Sequence, residues 1–157
     1  MKDDIYFMKE ALKEAENALL LDEVPIGCVI VLKDEIISRA CNKRNTDKNA
    51  ISHAEILAIS EACKVVEDWR LEECAIYITL EPCPMCAGAI VQARIKRVIF
   101  GANSVKAGCG GSIINLLERE EFNHRCVVER GILEQECSQY LSNYFKQMRK
   151  IRSVKNG

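Results

Sequence analysis

The sequence predicts an α/β fold: one sheet with helices packed on both faces. Three observations point there. Apolar runs rich in β-branched residues, "GCVIVLK", "IISRAC", "CAIYITL" and "RVIFGA", alternate with stretches of helical periodicity. Their order is that of βαβ units, in which a helix crosses between parallel strands. At 157 residues, 48% hydrophobic and 29% charged, the chain has the size and balance of a single globular domain, so residues 1–157 are read as one unit.

The elements follow in order. Asp3 or Asp4 caps a first helix whose buried face is predicted to carry Ile5, Met8, Leu12, Ala15 and Leu19, until "DEVP" stops it. "GCVIVLK" and "IISRAC", separated by "KDE", read as a hairpin. After the polar loop "NKRNTDKNAI", a second helix runs from Ser52 through "HAEILAISEACKVVE". "CAIYITL" is a buried strand, "PMCAGAIVQARI" a helix and "RVIFGA" the next strand. "VKAGCGGS" lacks the spacing and the Gly-Lys-Ser/Thr ending of a phosphate-binding loop, so it reads as a flexible or close-packed turn. "RCVVERGI" supplies a fifth, short strand, and residues from about 133 to 150 a last amphipathic helix.

No stretch is long and apolar enough to span a bilayer, and the acids in "MKDDIYFMKEALKEAENALL" exclude a signal peptide, so a cytoplasmic location is expected. Nine cysteines in a reducing compartment serve packing, metal or catalysis rather than disulfides. Cys28, Cys41, Cys63, Cys74, Cys109, Cys126 and Cys137 stand singly and read as small buried hydrophobes. Net charge is −1, but no acid follows Glu136, so residues 137–157 carry +5 and the rest −6. This basic segment, with Lys146, Arg149, Lys150 and Arg152, is either a phosphate-contacting element or a solvated helix end.

Cys83-Pro84-Met85-Cys86 stands where a strand ends and a helix begins. Backbone N–H groups and the helix dipole there favour thiolates, which suits metal binding and redox work alike. A third ligand separates the two. If the helix that follows His53 starts beside the one that follows Cys83, then His53, Cys83 and Cys86 converge on one point. Such a set leaves one tetrahedral position open, as in catalytic rather than structural zinc, and water there has a pKa of roughly 7, giving hydroxide. Glu55, two residues after His53, is then placed to shuttle protons. Ser52-x-x-Glu55 is also a capping box, but beside the cysteines the proton shuttle is preferred. His124, alone in "FNHRC", reads as a surface polar residue.

His-x-Glu, a spacer of about thirty residues, then Pro-Cys-x-x-Cys is the signature of zinc nucleobase deaminases. The chain resembles the cytidine deaminase superfamily and, within it, the bacterial tRNA-specific adenosine deaminases. "DEVPIGCVIV", "HAEI", "LEPCPMCAGAI", "ARIKRVIFGA", "GSIINLL", "FNHRC", "GILEQEC" and "YFKQMRK" look like that family in its order. The resemblance implies a three-layer α/β/α cytidine-deaminase-like fold with a mixed five-stranded sheet. It implies one zinc ion per subunit on His53, Cys83 and Cys86, with Glu55 moving protons. Asn42, the Ala54 backbone, Leu80 and Ile26 match the pocket around the flipped base. Adenosine-to-inosine conversion at the wobble position of a tRNA anticodon stem-loop is the implied activity, with a homodimer as the implied assembly and the basic segment lying along the RNA. Where the family often has "PTAHAE" this chain has "AISHAE", and Ser104 stands where an aspartate is common. A guanine, cytosine or cytidine deaminase with the same zinc chemistry is the alternative, and a structural zinc protein ranks last.

Overall fold

The computed structural model describes residues 1–156; Gly157, the end of the basic segment, lies outside the described residues. The hairpin forms as expected: β1 (Gly27–Leu32) and β2 (Glu35–Cys41) pair antiparallel with Leu32 opposite Glu35. The two turn residues, Lys33 and Asp34, both adopt positive φ, the backbone of the tight hairpin turns that match strand twist. β3 (Cys74–Leu80) pairs antiparallel with β1, β4 (Arg97–Ala102) parallel with β3, and β5 (Val127–Arg130) parallel with β4. The mixed sheet has the order β2-β1-β3-β4-β5.

Alternation along each strand decides which layer a side chain enters. Cys28, Ile30, Ile76, Ile78, Val98 and Phe100 face one side and pack on α2 (Ala54–Val66) and α3 (Pro84–Gln92). Val29, Val31, Tyr77 and Ile99 face the other and pack on α1 (Asp4–Leu20) and on Cys137, Tyr140 and Leu141 of α4 (Glu134–Asn156). The expected three layers are thus present. Each fully buried aliphatic or phenyl side chain contributes about 1.5–3 kcal/mol by leaving water.

Asp3 rather than Asp4 caps α1, accepting a hydrogen bond from the Tyr6 N–H at 2.8 Å. The buried face of α1 differs from the one expected. Ile5 and Leu19 are 46% and 37% exposed, whereas Phe7, Ala11 and Ala18 are buried. The cause is close approach: a Cβ on Gly27 would stand 2.0 Å from the Ala11 carbonyl oxygen, so the helix lies backbone-close to β1 and turns its alanines inward. α3 ends at Gln92, three residues earlier than expected, as the chain turns through Arg94 at φ 62°. α4 continues to Asn156, so the basic segment is the last turns of a helix.

Six of the seven lone cysteines are buried as expected. Cys63 is only half-buried, its thiol directed to the Trp69 carbonyl oxygen at 3.7 Å. Among the described residues no helix is long and apolar enough to cross a membrane.

Candidate active site

Both α2 and α3 begin at the same end of the sheet, after β2 and β3. His53 is the N-cap of α2 and Cys83 the N-cap of α3, with Pro84 pre-set for the first helical turn. Neither helix has a side-chain cap, so their first N–H groups stay open toward the space between them. His53 Nδ1 lies 3.6 Å from Cys83 Sγ and 3.5 Å from Cys86 Sγ. Ligand atoms set about 2.0–2.3 Å from a tetrahedral zinc stand roughly 3.5 Å apart, so these three atoms fit that ion and leave the set one ligand short.

The electrostatics agree. The Cys83 thiol is pulled down to about 4, first by its hydrogen bond with Cys86 and, against the cost of burial, by His53. Cys86 is pushed up by the neighbouring Cys83 and then by burial, and His53 is raised chiefly by its hydrogen bond with Cys83. A cation bound between the two sulfurs would take the place of the proton they share.

Ala54 follows His53, and Glu55 is the second residue of α2, its side chain buried. A capping box needs Ser52 at the N-cap and Glu55 at the third helical position. With His53 as N-cap that box does not form. Burial is the main cause that lifts the Glu55 carboxyl above its ordinary value.

These groups wall a cavity of about 430 Å³. Ile26, Asn42, His53, Ala54, Glu55, Leu80 and Cys83 all line it, while Cys86 is fully buried behind. A larger cleft of about 660 Å³ lies between α1, β2 and α2. It holds none of the His-Cys-Cys set, the one group with metal-ligand spacing among the described residues. The Asn42 side chain accepts the Arg44 N–H at 3.1 Å and donates to the Val24 carbonyl at 3.4 Å.

The sequence as a whole carries the same relationship. Residues 1–149 match the family model of MafB19-like deaminases. The chain belongs to that deaminase family. The tRNA-specific adenosine deaminase of Bacillus subtilis (strain 168) is 53% identical over 98% of this chain and 96% of its own. A solved structure from work on A-to-I editing by tRNA:A34 deaminases at the wobble position of transfer RNA is 40% identical, with a TM-score of 0.82 over 86% of this chain and 98% of that one. The guanine deaminase of Bacillus subtilis is 38% identical, with a TM-score of 0.62 over 65% of this chain and 66% of that one. The resemblance to tRNA-specific adenosine deaminases carried by short motifs therefore extends along the chain, and the sheet is the cytidine-deaminase-like one.

Ser104, singled out in the sequence, lines the pocket. Val24, Arg44, Glu81, Lys106, Ala107 and Phe145 also line it and were not singled out there. Arg44, next to Lys43 in a polar loop, and Lys106, in the glycine-rich loop, look like ordinary solvated surface until the loops are folded. Phe145 arrives from α4, whose path past the pocket is a tertiary fact. Arg149 and Arg152 follow Phe145 on the same helix face, with Lys146 and Lys150 beside them. All four cations are exposed. None makes an ion pair among the described residues. His124 is half-buried and its Nε2 lies 2.7 Å from the Ile95 carbonyl oxygen, a structural tie outside the pocket.

Proposed function

We propose that this deaminase converts adenosine to inosine at the wobble position of a tRNA, by hydrolysis at a zinc ion held by His53, Cys83 and Cys86, one per subunit. The observation that carries this reading is the convergence of His53 Nδ1 on both sulfurs beside the buried Glu55, at the wall of a cavity large enough for a base. Zinc, when bound, supplies the Lewis acidity that brings the pKa of water to about 7.

The chain's own residues do the rest. Glu55 carries both protons of the attacking water in turn, the first to the ring nitrogen and the second to the amine, which leaves as ammonia. Asn42 and the Ala54 backbone orient the base, and Ile26 and Leu80 supply apolar walls that exclude bulk water. A base reaches such a pocket only out of the stack, and an anticodon loop offers bases already unstacked. The cations Lys146, Arg149, Lys150 and Arg152, following Phe145 past the pocket, suit the phosphates of that loop.

We assign the chain to the cytoplasm, where tRNA is processed, and to a homodimer whose contact lies on α3. The outer side of α3 has little side-chain relief at Gly88, where an added Cβ meets nothing within 4 Å. The second reading, a guanine deaminase, is supported by the likeness to the Bacillus subtilis enzyme. One experiment separates them: incubation with an adenosine-wobble anticodon stem-loop and, separately, with free guanine, adenosine, cytidine and cytosine. Inosine in the RNA with silence on the small substrates is expected. Turnover of free guanine with the RNA untouched would overturn the tRNA reading.

A further inference from the structure

Two buried carboxylates flank the pocket, each held by N–H and hydroxyl donors rather than by a cation. Glu23, 1% exposed, accepts the Asn45 N–H at 3.1 Å, the Thr46 N–H at 2.6 Å and the Thr46 hydroxyl at 2.7 Å. Glu81, 2% exposed, accepts the N–H groups of Ser104, Gly110 and Ser112 at 3.0, 2.9 and 3.0 Å, and the Ser112 hydroxyl. The second loop is wrapped tightly around its anchor. A Cβ on Gly108 would stand 2.4 Å from the Glu81 carboxyl carbon. Hydrogen bonds to a charged carboxylate are stronger than neutral ones, and burial removes water as a competitor, so each loop has a defined path.

The two loops follow β2 and β4, on either side of the β1–β3 centre of the sheet. Each brings one cation to the same pocket: Arg44 stands next to the residues Glu23 holds, and Lys106 lies between the Ser104 and Gly110 contacts of Glu81. Both cations are exposed and make no ion pair among the described residues. We infer that Glu23 and Glu81 are positioning residues, each fixing a loop so that Arg44 and Lys106 stand as a pair of phosphate-holding cations at the pocket mouth. This rests on the tRNA reading and adds the placement of the backbone on both sides of the extruded nucleotide. Stability of the loops for their own sake would not require both to deliver a free cation to one cavity.

The test is a pair of mutant cycles on an anticodon stem-loop, with kcat, KM and zinc content measured for each variant. Arg44→Ala and Lys106→Ala are each expected to raise KM by about tenfold and to reduce the slope of log KM against log salt by about 0.7. Glu23→Gln and Glu81→Gln leave N–H donors without an acceptor and are expected to raise KM by a similar factor, with full zinc and kcat within about twofold. In Glu23→Gln/Arg44→Ala and Glu81→Gln/Lys106→Ala, KM is expected to stay within about twofold of the glutamine variant alone, because a misplaced cation has little left to lose. Multiplicative KM effects in both cycles overturn the inference, as does loss of zinc and kcat at unchanged KM. Should the glutamine variants fail to fold, Thr46→Val and Ser112→Ala remove one hydroxyl donor each, and Thr46→Ser and Ser112→Thr retain it. The first two must raise KM and the second two must not; equal KM throughout overturns the positioning role. Inactivity of the wild type on the stem-loop overturns the tRNA reading as well, whereas an active wild type with multiplicative cycles overturns this inference alone.

Discussion

His53 Nδ1 lies 3.5 Å from Cys86 Sγ across 33 positions of sequence. That distance exists because α2 and α3 start at the same end of one sheet, with His53 and Cys83 as their N-caps. A metal ion held there would brace two helix starts at once.

Removing a ligand is expected to cost both metal and stability. Cys83→Ala and Cys86→Ala should come out of purification without zinc and without deaminase activity. In the wild type, a chelator should lower the unfolding free energy by about 4 kcal/mol if the free ion had been at about 1,000 times its Kd. Metal analysis beside thermal melts with and without chelator measures both effects.

Glu55→Gln separates proton transfer from helix capping. Since the capping box does not form, the variant should keep its zinc and melt no lower than the wild type, while turnover drops by about 10²–10⁴-fold. A lowered melting temperature or lost zinc would mean that the carboxylate holds structure instead.

The approach of α1 to β1 depends on Gly27. A Cβ there would stand 2.0 Å from the Ala11 carbonyl oxygen and 2.5 Å from the Ala15 nitrogen, both backbone atoms. Gly27→Ala should cost about 2–3 kcal/mol by overpacking, a melting-point loss of roughly 4–12 °C, and should disturb the pocket through the adjacent Ile26. Calorimetry and a KM measurement on the same sample test the two consequences.

Acid sensitivity should be traceable to Asp4. Its hydrogen bond with Arg97, opposed by burial and helped by Tyr77, holds the carboxyl below its ordinary value of 3.8. A depressed folded pKa means that the unfolded chain binds the proton first, so this stabilisation is present above pH about 4 and is lost as pH falls further. Asp4→Asn should lower stability near neutrality and flatten its fall with acid, read from denaturant midpoints between about pH 3 and 7.

Truncation after Met148 should leave the packed part of α4, which includes Cys137, Tyr140 and Leu141, in place. Without Arg149, Lys150 and Arg152, KM for the stem-loop should rise, and the salt slope should fall by about 0.7 for each phosphate no longer neutralised. An unchanged salt slope would remove the helix end from the RNA interface.

The strands were legible because their apolar residues alternate or run continuously in short blocks, and burial on a two-sided sheet demands that pattern. The clustering of His53, Cys83 and Cys86 was legible because metal-ligand chemistry restricts residue type, and these residues have few other reasons to stand at two helix starts. The inner face of α1 was not legible at Ile5 and Leu19, since hydrophobicity alone cannot tell that Gly27 lets the helix backbone touch the strand and so favours Ala11 and Ala18 inside. Arg44, Lys106 and Phe145 were invisible as pocket residues for a different reason. A single cation or aromatic carries no periodicity, and only the path of its loop or helix decides what it faces.

The sequence by itself determined the order of elements, the two-sided sheet and the identity of the groups able to hold zinc and move a proton, because local periodicity and ligand chemistry are properties of residue type and spacing. The tertiary structure alone decided that His53 meets both sulfurs, that Glu55 is buried beside them rather than capping its helix, and that Glu23 and Glu81 hold loops from two flanks around one cavity. Those relations join residues far apart in the chain, and what sets them is the packing of helices on a twisted sheet.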